Sequence, residues 1–376
     1  MAKKPRKSPV WAVVTIVFGG LLTVVGGGGA IASQTLAARY AGAVQTEDLF
    51  GDAGGVSEEE AKSDIKGPLN MLLVGIDPRK PETPPLADSI MVVHVPATLD
   101  KAYIFSVPRD TYVTIPAFAK SGTGEQRGKI NGAMSIGSHV PGKPLPSATQ
   151  GFELLSKTVS KLTGIKKFDA GAIINFDGFK KVVDAMGGID IYVDERTESE
   201  HLQPNGKGRP FRPSSRGDEH PYVGPKKVYE VGNQHLVGWQ ALDFARQRYG
   251  LKGTDYARQR HQQQVLKAIA KKAASGDVVT NPVKLDKVLT AAGKSLTFNG
   301  RGKSVLDYAL ALKGMRPDNI TTIKLIGGTY SGGGSQYLGE QLVPATDDLF
   351  AAIRAEKIDE FLLSHPEFVN TTTAVK

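Results

Sequence analysis

The stretch that organises this chain is Phe244-Ala-Arg-Gln-Arg-Tyr-Gly-Leu-Lys-Gly-Thr-Asp-Tyr-Ala-Arg-Gln-Arg-His-Gln262. Two glycines, Gly250 and Gly253, divide it into a half that closes an apolar-patterned segment and a half that opens a helix. The Thr-Asp pair after Gly253 supplies a suitable N-cap, and good helix formers continue from there to Ala274. The sequence therefore predicts a long helix that ends at Ala274.

One face of this predicted helix mixes apolar residues with two polar side chains. Because a helix turns by about 100° per residue, Arg258 and Gln262 lie on the inward face, where buried polar groups need partners. Arg260 lies on the opposite side, and we expect it to be solvated. The inward face comprises Arg258, Gln262, Val265, Leu266, Ile269 and Ala273, with Asp255 at its edge.

Two kinds of partner would satisfy an inward-facing arginine. The simpler one is an internal carboxylate. The other is a bound anion held jointly by Arg246, Arg248 and Arg258, since the donor fork of a guanidinium matches two phosphate oxygens at once. The spacing alone leaves both alternatives open.

Composition excludes some kinds of chemistry and leaves others open. The 376 residues suffice for one large domain or two small ones, and the absence of cysteine excludes disulfides, thiolate metal sites and a cysteine nucleophile. The net charge is +9, but four of the positive charges lie in the first seven residues. Nucleic-acid binding is therefore only weakly supported, and an anionic or phosphate-rich substrate fits as well.

The N-terminus has the pattern of a membrane anchor. Residues 1–9 form a basic, cytoplasmic tail, and the mostly apolar residues 10–33 match a bilayer crossing of about 20 residues. The preceding lysines and arginines predict a cytoplasmic N-terminus and an outside C-terminal domain. A cleaved signal peptide ending at Ala30-Ile-Ala32 is the competing interpretation, although its apolar region would exceed the usual ~7–15 residues. Residues 34–66 are predicted to be a linker.

We expect a folded domain over residues 67–365, followed by a frayed tail at 366–376. The domain opens with Leu69–Ile76, a near-continuous apolar run that is typical of a strand buried on both faces. Asp77 and Arg79 follow this strand. In open α/β sheets, ligand sites gather at the C-terminal ends of strands.

Charged residues also flank the next two predicted strands. Asp88 precedes Ser89–Val95, and Arg109 follows Ala102–Val107. A short turn connects the two strands, which predicts that they pair antiparallel. Antiparallel pairing places the start of one beside the end of the other, so Asp88 and Arg109 should be neighbours.

The remaining elements predict a layered α/β domain. The strand–helix–strand order between Phe168 and Val193 has the rhythm of a βαβ unit. Residues 116–150 are polar and loop-like. The predicted elements are helix Phe152–Leu162, strand Phe168–Ile174, a helix from Asp177 to the Gly187-Gly188 pair, strand Ile189–Val193, helix Lys303–Met315, strand Ile320–Ile326 and helix Ala345–Leu363.

Two further segments carry motif-like residues without a strong signal. Residues 195–227 form a long polar loop, which in a compact domain is usually functional or mobile. His201 and His220 lie in it without a regular metal-ligand spacing, so we favour a solvated loop over a metal site. The segment Gly327–Gly334 is glycine-rich but lacks the Lys and Ser/Thr of a P-loop, and we interpret it as a turn.

With these motifs placed, the chain resembles the LytR-CpsA-Psr (LCP) family of Gram-positive cell envelopes over residues 70–272. Six motifs in the family's order carry the resemblance, behind one N-terminal anchor. They are Leu72-Leu-Val-Gly-Ile-Asp77-Pro-Arg79, Ala87-Asp88-Ser-Ile-Met-Val-Val93, Ser106-Val-Pro-Arg109-Asp110-Thr111, Lys129-Ile-Asn131-Gly-Ala133, Val183-Asp-Ala-Met-Gly187-Gly188-Ile-Asp190, and Gln240-Ala-Leu-Asp-Phe-Ala-Arg246-Gln-Arg248 running on to Asp255-Tyr-Ala-Arg258 and Gln262.

The resemblance implies a three-layer αβα domain with a central mixed sheet on the outer face of the cytoplasmic membrane. It also implies an activity, the transfer of a glycopolymer from a polyprenyl-pyrophosphate carrier to peptidoglycan through a phosphodiester. The expected partners are the lipid-linked glycan, peptidoglycan and the membrane, and no nucleic acid. Two alternatives use the same site: a non-catalytic protein that binds polyprenyl-linked phosphates, and a hydrolase that cleaves polyprenyl pyrophosphate with water.

The resemblance also implies a site. Mg²⁺, or Mn²⁺ in its place, and guanidinium groups would neutralise the pyrophosphate and the charge that grows on the leaving phosphate. Asp77 and Asp88 match the family's magnesium carboxylates, and Asp88 is also a candidate general base. The expected catalytic residues are Arg109, Arg246, Arg248, Arg258 and Asp88, and the expected pyrophosphate-binding residues are Arg79, Arg109, Lys129, Arg246, Arg248, Arg258 and Gln262.

Two positions depart from the family's pattern. The family often has arginine two residues before the second aspartate, where this chain has Leu86. It also often has arginine three residues after Arg258, where this chain has His261, off the centre of the inward face. Neither change removes an expected metal carboxylate, but both leave the substrate and the rate open.

Overall fold

A computed structural model describes residues 45–51, 57, 63–78, 80–212, 221–274, 287–288, 290–291, 293, 296–312 and 315–370. Among these residues, no helix combines the length and the apolarity needed to cross a membrane. The predicted anchor at residues 10–33 lies outside the described residues, as do Arg79 and His220.

The described chain forms both strands and helices. The strands are β1 (Gln45–Thr46), β2 (Leu69–Ile76), β3 (Ala87–Val95), β4 (Ala102–Ser106), β5 (Tyr112–Ile115), β6 (Gln126–Lys129), β7 (Ala170–Asn175), β8 (Ile189–Val193), β9 (Thr197–Glu198), β10 (Val228–Tyr229), β11 (Gly232–Leu236), β12 (Leu296–Asn299), β13 (Ile320–Lys324), β14 (Gly327–Tyr330) and β15 (Gly339–Leu342). The helices are α1 (Gly132–Ser138), α2 (Ala148–Thr163), α3 (Phe176–Ala185), α4 (Gly238–Arg246), α5 (Asp255–Ala274), α6 (Val305–Ala311), α7 (Ala345–Arg354) and α8 (Ile358–Ser364). Short 3₁₀ helices occupy Ala119–Ser121, Pro317–Asn319 and Pro366–Phe368.

A mixed sheet forms the centre of the domain. Its seven strands in the described chain run in the order β1-β12-β7-β2-β3-β4-β13. Strand β2 lies in the middle, antiparallel to β3 and parallel to β7. The antiparallel pairing predicted for the second and third strands is confirmed, since β3 runs antiparallel to β4.

Helices cover both faces of this sheet. Successive side chains of a strand point to opposite faces, and β2 accordingly sends Met71 into one hydrophobic core and Leu72 into another. The first core is closed by α3, α4, α5 and α6, and the second by α1, α2, α7 and α8. The fold is therefore the three-layer αβα arrangement that was expected. Burial on both faces explains why the sequence of β2 is almost continuously apolar.

Several predicted elements are confirmed with small changes at their ends. Helix α2 begins before the predicted Phe152 because Ser147 caps it by accepting a hydrogen bond from the Gln150 N–H. It ends at Gly164, whose φ of +70° suits the left-handed terminal position. Helix α5 spans Asp255–Ala274, as the opening stretch predicts.

The predicted βαβ unit is wrong. Strand β8 does not join the central sheet but pairs antiparallel with β11, which follows it by about forty residues of chain. Helix α3 therefore links the central sheet to a separate two-stranded ribbon. The loop-like segment 116–150 also holds more structure than expected, because it contains β6 and helix α1.

The domain boundaries also need correction. Leu49 and Phe50 lie in the predicted linker, yet they are 0% and 3% exposed in the core, and β1 pairs with β12. The domain therefore begins before residue 67. At the other end, Phe368 is 1% exposed and Asn370 donates its N–H to the Thr322 carbonyl, so the expected frayed tail is ordered at least to Asn370.

Two predictions in the C-terminal part are wrong in detail. The glycine-rich segment from Gly327 opens a hairpin, β14–β15, in place of a simple turn. The single helix predicted over Ala345–Leu363 is split into α7 and α8, and Glu356 has a left-handed φ of +58° at the break. Hydrophobic periodicity continues across such a break, which is why the sequence alone does not show it.

Candidate anion-binding site

The site lies where β2 ends and β3 begins. Gly75 pairs with Ser89 and Ile76 pairs with Ala87, so Asp88 is an extra residue in β3 without a partner on β2. Such a β-bulge bends the strand and re-aims a side chain, and bulges are frequent beside active sites. Here the bulge places Asp88 in the wall of a cavity.

The cavity has a volume of about 490 Å³ and is lined by a mixture of charged, polar and apolar side chains. Four arginines and three acidic residues contribute to the wall. The lining residues are Asp77, Pro78, Thr83, Pro84, Leu86, Asp88, Arg109, Phe176, Glu200, His201, Arg246, Gln247, Arg248, Tyr249, Arg258 and Gln262.

Arg109 and Asp88 are direct neighbours, as the antiparallel pairing predicts. Nη1 of Arg109 donates to Oδ1 of Asp88 at 2.9 Å. On its other side, Nε of Arg109 lies 3.8 Å from Oδ1 of Asp255. Arg109 therefore connects the carboxylate of the β3 bulge to the N-terminus of α5.

Arg258 has the first of the two partners that the sequence leaves open, and it also borders a cavity. The partner is an internal carboxylate, since Nη2 of Arg258 lies 2.6 Å from Oδ1 of Asp255. Burial lowers the pKa of the Arg258 guanidinium from its usual value, and the adjacent Asp255 carboxylate opposes this shift. An arginine stays charged in proteins even so. The result is a cation that is only 7% exposed but faces a cavity.

Arg246 and Arg248 reach the cavity from the end of α4. Nη2 of Arg246 donates to Oδ2 of Asp77 at 3.2 Å, and its guanidinium lies 4.5 Å from the centre of the Phe176 ring. The guanidinium of Arg248 lies 4.6 Å from the centre of the Tyr249 ring. Arg248 also donates to the Tyr249 hydroxyl. A neighbouring aromatic ring thus restrains each guanidinium, and each still has further donors to offer a ligand.

Gln262 and Lys129 have different positions relative to the cavity. Gln262 lines it, and its Oε1 accepts a hydrogen bond of 2.9 Å from Ser89. Lys129 does not line it: its Nζ lies 3.4 Å from Oδ2 of Asp110 and 4.6 Å from the centre of the Tyr337 ring. Lys129 is therefore connected to the cavity only indirectly, since its partner Asp110 follows the cavity residue Arg109 in the chain.

The expectation that Arg260 is solvated is wrong. Nε of Arg260 donates to Asp194 at 2.7 Å, and its Nη2 donates to Glu195 at 2.9 Å. Its side chain is 15% exposed and that of Asp194 is 0% exposed. The ribbon of β8 and β11 covers this side of α5, so the helix is buried on nearly all sides.

The two departures from the family's pattern have different surroundings. Leu86 is 45% exposed and lines the cavity, so an apolar group stands where a cation is common. His261 is 0% exposed, and its ring stacks on Phe244 with 4.1 Å between the ring centres. Burial lowers the pKa of His261 to about 3, so it is a neutral core residue and not a cationic contact.

The sequence missed several residues of the site. Asp255 was treated as a cap, but it lies between Arg109 and Arg258. Its spacing of three residues from Arg258 is the signal that would have shown the pair. Glu200 and His201 offer no such signal, because only the tertiary fold brings their loop to the cavity.

The carboxylates Asp77 and Asp88 suit a hard cation. Both line the same cavity, both are about one-third exposed, and each makes one hydrogen bond, to Arg246 and Arg109 respectively. Mg²⁺ typically binds one or two carboxylates together with phosphate oxygens and water. A group of three or more His, Cys, Asp or Glu side chains able to hold a metal is absent from the described residues. His201 instead packs its ring against Tyr222.

Fold and site together define an αβα-layered domain with an arginine-rich cavity at the ends of its central strands. Guanidinium groups in such an arrangement have the donors to hold a multiply charged anion. Residues 38–347 match the sequence model of the LytR_cpsA_psr family, and the chain belongs to this family.

Curated relatives give the family context. Over 285 residues the chain is 29% identical to the polyisoprenyl-teichoic acid–peptidoglycan teichoic acid transferase TagU of Bacillus cereus, covering 74% of this chain and 76% of that protein. It is 31% identical over 248 residues to TagU of Bacillus mycoides, covering 66% of this chain and 65% of that protein. The cell wall biosynthesis protein LcpA of Corynebacterium glutamicum is 26% identical over 62% of this chain, which spans 42% of that protein.

Solved structures show the same fold. TagV of B. subtilis superposes with a TM-score of 0.55 at 24% identity, covering 78% of this chain and 98% of TagV. TagT bound to LI-WTA superposes with a TM-score of 0.52 at 22% identity, covering 85% of this chain and 98% of TagT.

Proposed function

We propose that this protein transfers a glycopolymer from a polyprenyl-pyrophosphate carrier to peptidoglycan and joins the two by a phosphodiester. One observation carries the proposal: Arg109, Arg246, Arg248 and Arg258 converge on one cavity with Asp77 and Asp88. A pyrophosphate bears several negative charges, and guanidinium groups neutralise them with matched donors. The names of the curated relatives, which are transferases of this kind, support the same activity.

The chemistry requires one bond to form and one to break. A peptidoglycan hydroxyl attacks the phosphorus that carries the glycan, and the bond from that phosphorus to the bridging oxygen breaks. The bridging oxygen leaves with the polyprenyl phosphate, and the proton of the hydroxyl passes to a base. Asp88 is our candidate base, through a carboxylate oxygen that a bound metal does not occupy, since its side chain lines the cavity beside Arg109.

The arginines supply most of the stabilisation in this scheme. Charge accumulates on the bridging oxygen and on the departing phosphate, and preorganised cations lower the barrier by stabilising that charge. Arg258 is held by Asp255, and Arg246 is held against Phe176, so both side chains are oriented before the substrate binds. Gln262 and Arg248 extend the donor set, and we also assign Arg79 and Lys129 to the binding of the substrate's phosphates.

We further propose that Mg²⁺, or Mn²⁺ in its place, is held by Asp77 and Asp88, where it would add positive charge next to the phosphates. The protein would be anchored by residues 10–33 in the cytoplasmic membrane of a Gram-positive bacterium, with the catalytic domain outside. This placement gives the site access to a membrane-bound donor and to the peptidoglycan acceptor.

The test uses the full-length chain in detergent or vesicles with a synthetic polyprenyl-pyrophosphoryl sugar and a peptidoglycan oligomer, with and without Mg²⁺. Mass spectrometry follows the products. Polyprenyl phosphate together with a glycan–phosphate–peptidoglycan adduct is the expected result. Polyprenyl phosphate without the adduct indicates a hydrolase, and tight lipid binding without turnover indicates a binding protein. Adduct formation that persists unchanged with EDTA contradicts the magnesium assignment alone.

A further inference from the structure

One wall of the cavity comes from a segment distant in sequence. Residues 195–212, here called the wall segment, contribute Glu200 and His201 to the cavity lining. These residues line the same cavity as Arg246 and Arg248, and the wall segment is attached to the end of α4. The attachment is a buried polar cluster formed by Ser199, Tyr229, Asp243 and Gln247.

Gln247 hydrogen-bonds both to α4 and to the wall segment. Its Nε2 donates to Oδ1 of Asp243 at 2.7 Å, and its Oε1 accepts from the backbone N–H of Glu200 at 2.9 Å. Gln247 is 2% exposed. Both ends of its amide are therefore used, one toward α4 and one toward the wall segment.

Asp243 completes the attachment from within α4. Its Oδ1 accepts from Ser199 Oγ at 2.9 Å and its Oδ2 accepts from the Tyr229 hydroxyl at 2.9 Å. Ser199 Oγ in turn accepts from the Leu202 N–H at 2.9 Å. Burial raises the pKa of Asp243 from its usual value, and the hydrogen bonds from Ser199 and Tyr229 oppose that shift.

The position of Gln247 in the chain links this cluster to the cavity arginines. It lies directly between Arg246 and Arg248, at the point where α4 gives way to extended backbone with φ −67° and ψ 136°. In extended backbone, successive side chains point to opposite sides. Gln247 also lines the cavity with the flanking arginines, but its amide is hydrogen-bonded within the cluster.

We propose that Gln247 is a positioning residue: by hydrogen bonding both to Asp243 and to the Glu200 backbone N–H, it sets the distance between the arginine pair and the wall segment. This inference rests on the proposed function and deepens it. A displacement of about 1 Å in a catalytic constellation can cost about 10²-fold in rate. Loosening the wall segment should therefore reduce turnover even though every arginine remains.

The first experiment compares two matched substitutions in the full-length protein, Gln247→Leu and Gln263→Leu. Gln263 is also buried, and its Nε2 donates to Ser106 at 3.0 Å and to the Ile323 carbonyl at 2.9 Å, but it does not line the cavity. Both variants should have a lower Tm, because both leave buried polar partners unsatisfied. Only Gln247→Leu should lower kcat/KM, by about tenfold or more, at a temperature well below either Tm.

A rescue experiment separates positioning from simple loss of stability. Gln247→Glu keeps the acceptor for the Glu200 N–H but places a second carboxylate against Asp243, so kcat/KM should fall. Adding Asp243→Asn supplies an amide donor to Glu at 247, and the double variant should recover most of kcat/KM. If Gln247→Leu matches Gln263→Leu in kcat/KM, or if the double variant is no better than Gln247→Glu alone, the proposal is overturned.

Binding of inorganic pyrophosphate, measured by calorimetry on the same variants, keeps this proposal distinct from the proposed function. If the wild-type protein binds pyrophosphate but forms no adduct, the transferase assignment fails. The role of Gln247 is then decided by affinity: a loss of about tenfold in Gln247→Leu alone supports it, and equal affinities in the two leucine variants overturn it. A wild-type protein that does not bind pyrophosphate overturns both.

Discussion

Arg258 and Arg260 lie two residues apart on the same helix, and both pair with carboxylates, yet they belong to different parts of the molecule. Arg258 pairs with Asp255 within α5 and faces the cavity. Arg260 pairs with Asp194 and Glu195 at the end of β8 and faces away from the cavity. The comparison teaches that an ion pair does not by itself identify a functional arginine. What distinguishes the two is the space beside the guanidinium, since only one of them borders a volume that a ligand can occupy.

The largest expected effect is the loss of adduct formation when Arg258, the arginine that faces the cavity, is replaced. Arg258→Ala should lower adduct formation by about 10³-fold or more, because it removes a preorganised cation from the phosphate site. The fold should survive, as judged by circular dichroism. Mass-spectrometric quantification of adduct per folded molecule is the measurement, and a rate within a few fold of wild type would show that the cavity is not the reaction site.

On the other side, Arg260→Met should affect stability and not turnover. It leaves Asp194, whose side chain is 0% exposed, without its cation, and breaking a buried pair in this way costs about 3–5 kcal/mol. Denaturant unfolding measures the loss, and adding Asp194→Asn should restore part of it. Adduct formation per folded molecule, measured at low temperature, should remain within about threefold of wild type. A loss as large as that of Arg258→Ala would mean that Arg260 is needed for turnover as well.

The neighbour of Arg260 gives a pH-dependent prediction. The pKa of His261 is lowered from 6.5 to about 3, first by burial and then by the charge of Arg260. The unfolded chain therefore binds a proton below pH 6.5 that the folded chain does not bind. Stability contributed by this histidine is full above pH 6.5 and is lost as the pH falls from there toward 3.

At pH 5 this loss amounts to about 2 kcal/mol, because 1.5 pH units below the unfolded pKa correspond to that free energy. His261→Phe keeps an aromatic ring against Phe244 and should remove this part of the acid sensitivity. Unfolding free energies at pH 7.5 and pH 5 provide the measurement for both proteins. An unchanged difference between the two pH values in the variant would mean that other groups cause the acid sensitivity.

The smallest expected effect is a change in the affinity of the cavity for pyrophosphate when Leu86 is replaced. Leu86 is 45% exposed in the cavity wall, and Leu86→Arg adds a fifth guanidinium there. A partly exposed charge contact is worth up to about 1 kcal/mol, so the affinity for inorganic pyrophosphate should rise about threefold at low salt. Leu86→Gln, which adds length without charge, is the control, and an equal gain in both variants would exclude an electrostatic cause.

Much of the central site could be read from the chain because it depends on local order and strand direction. The apolar run before Asp77 identifies a buried strand, and the short turn between β3 and β4 makes Asp88 and Arg109 neighbours, which the 2.9 Å contact confirms. The helix face of α5 correctly places Arg258 and Gln262 toward the cavity. Each of these inferences needs only the periodicity of one element or a single antiparallel connection.

Other features could not be predicted from the sequence because they depend on contacts between segments that are distant in the chain. Strand β8 looked like part of a βαβ unit, but it pairs with β11, and this ribbon buries Arg260 that the helix pattern had placed in solvent. Leu49 and Phe50 lie in a stretch with the composition of a linker, yet they fill the core beneath α2. Composition and periodicity reflect residues that are close in sequence. They do not show which distant segments of the chain will pack against those residues.

The sequence by itself determined the layered α/β class, and its motifs carried the family resemblance that implied the αβα arrangement. It also singled out Asp77, Asp88 and the four cavity arginines, because these follow from motif order, one helix face and one antiparallel connection. Only the tertiary structure decided that Asp88 sits on a bulge, that Asp255 lies between Arg109 and Arg258, and that Gln247 hydrogen-bonds both to Asp243 and to the Glu200 backbone. The physical reason is that these features arise from register and from buried polar contacts between segments far apart in the chain. Their energies depend on three-dimensional burial, which no local pattern encodes.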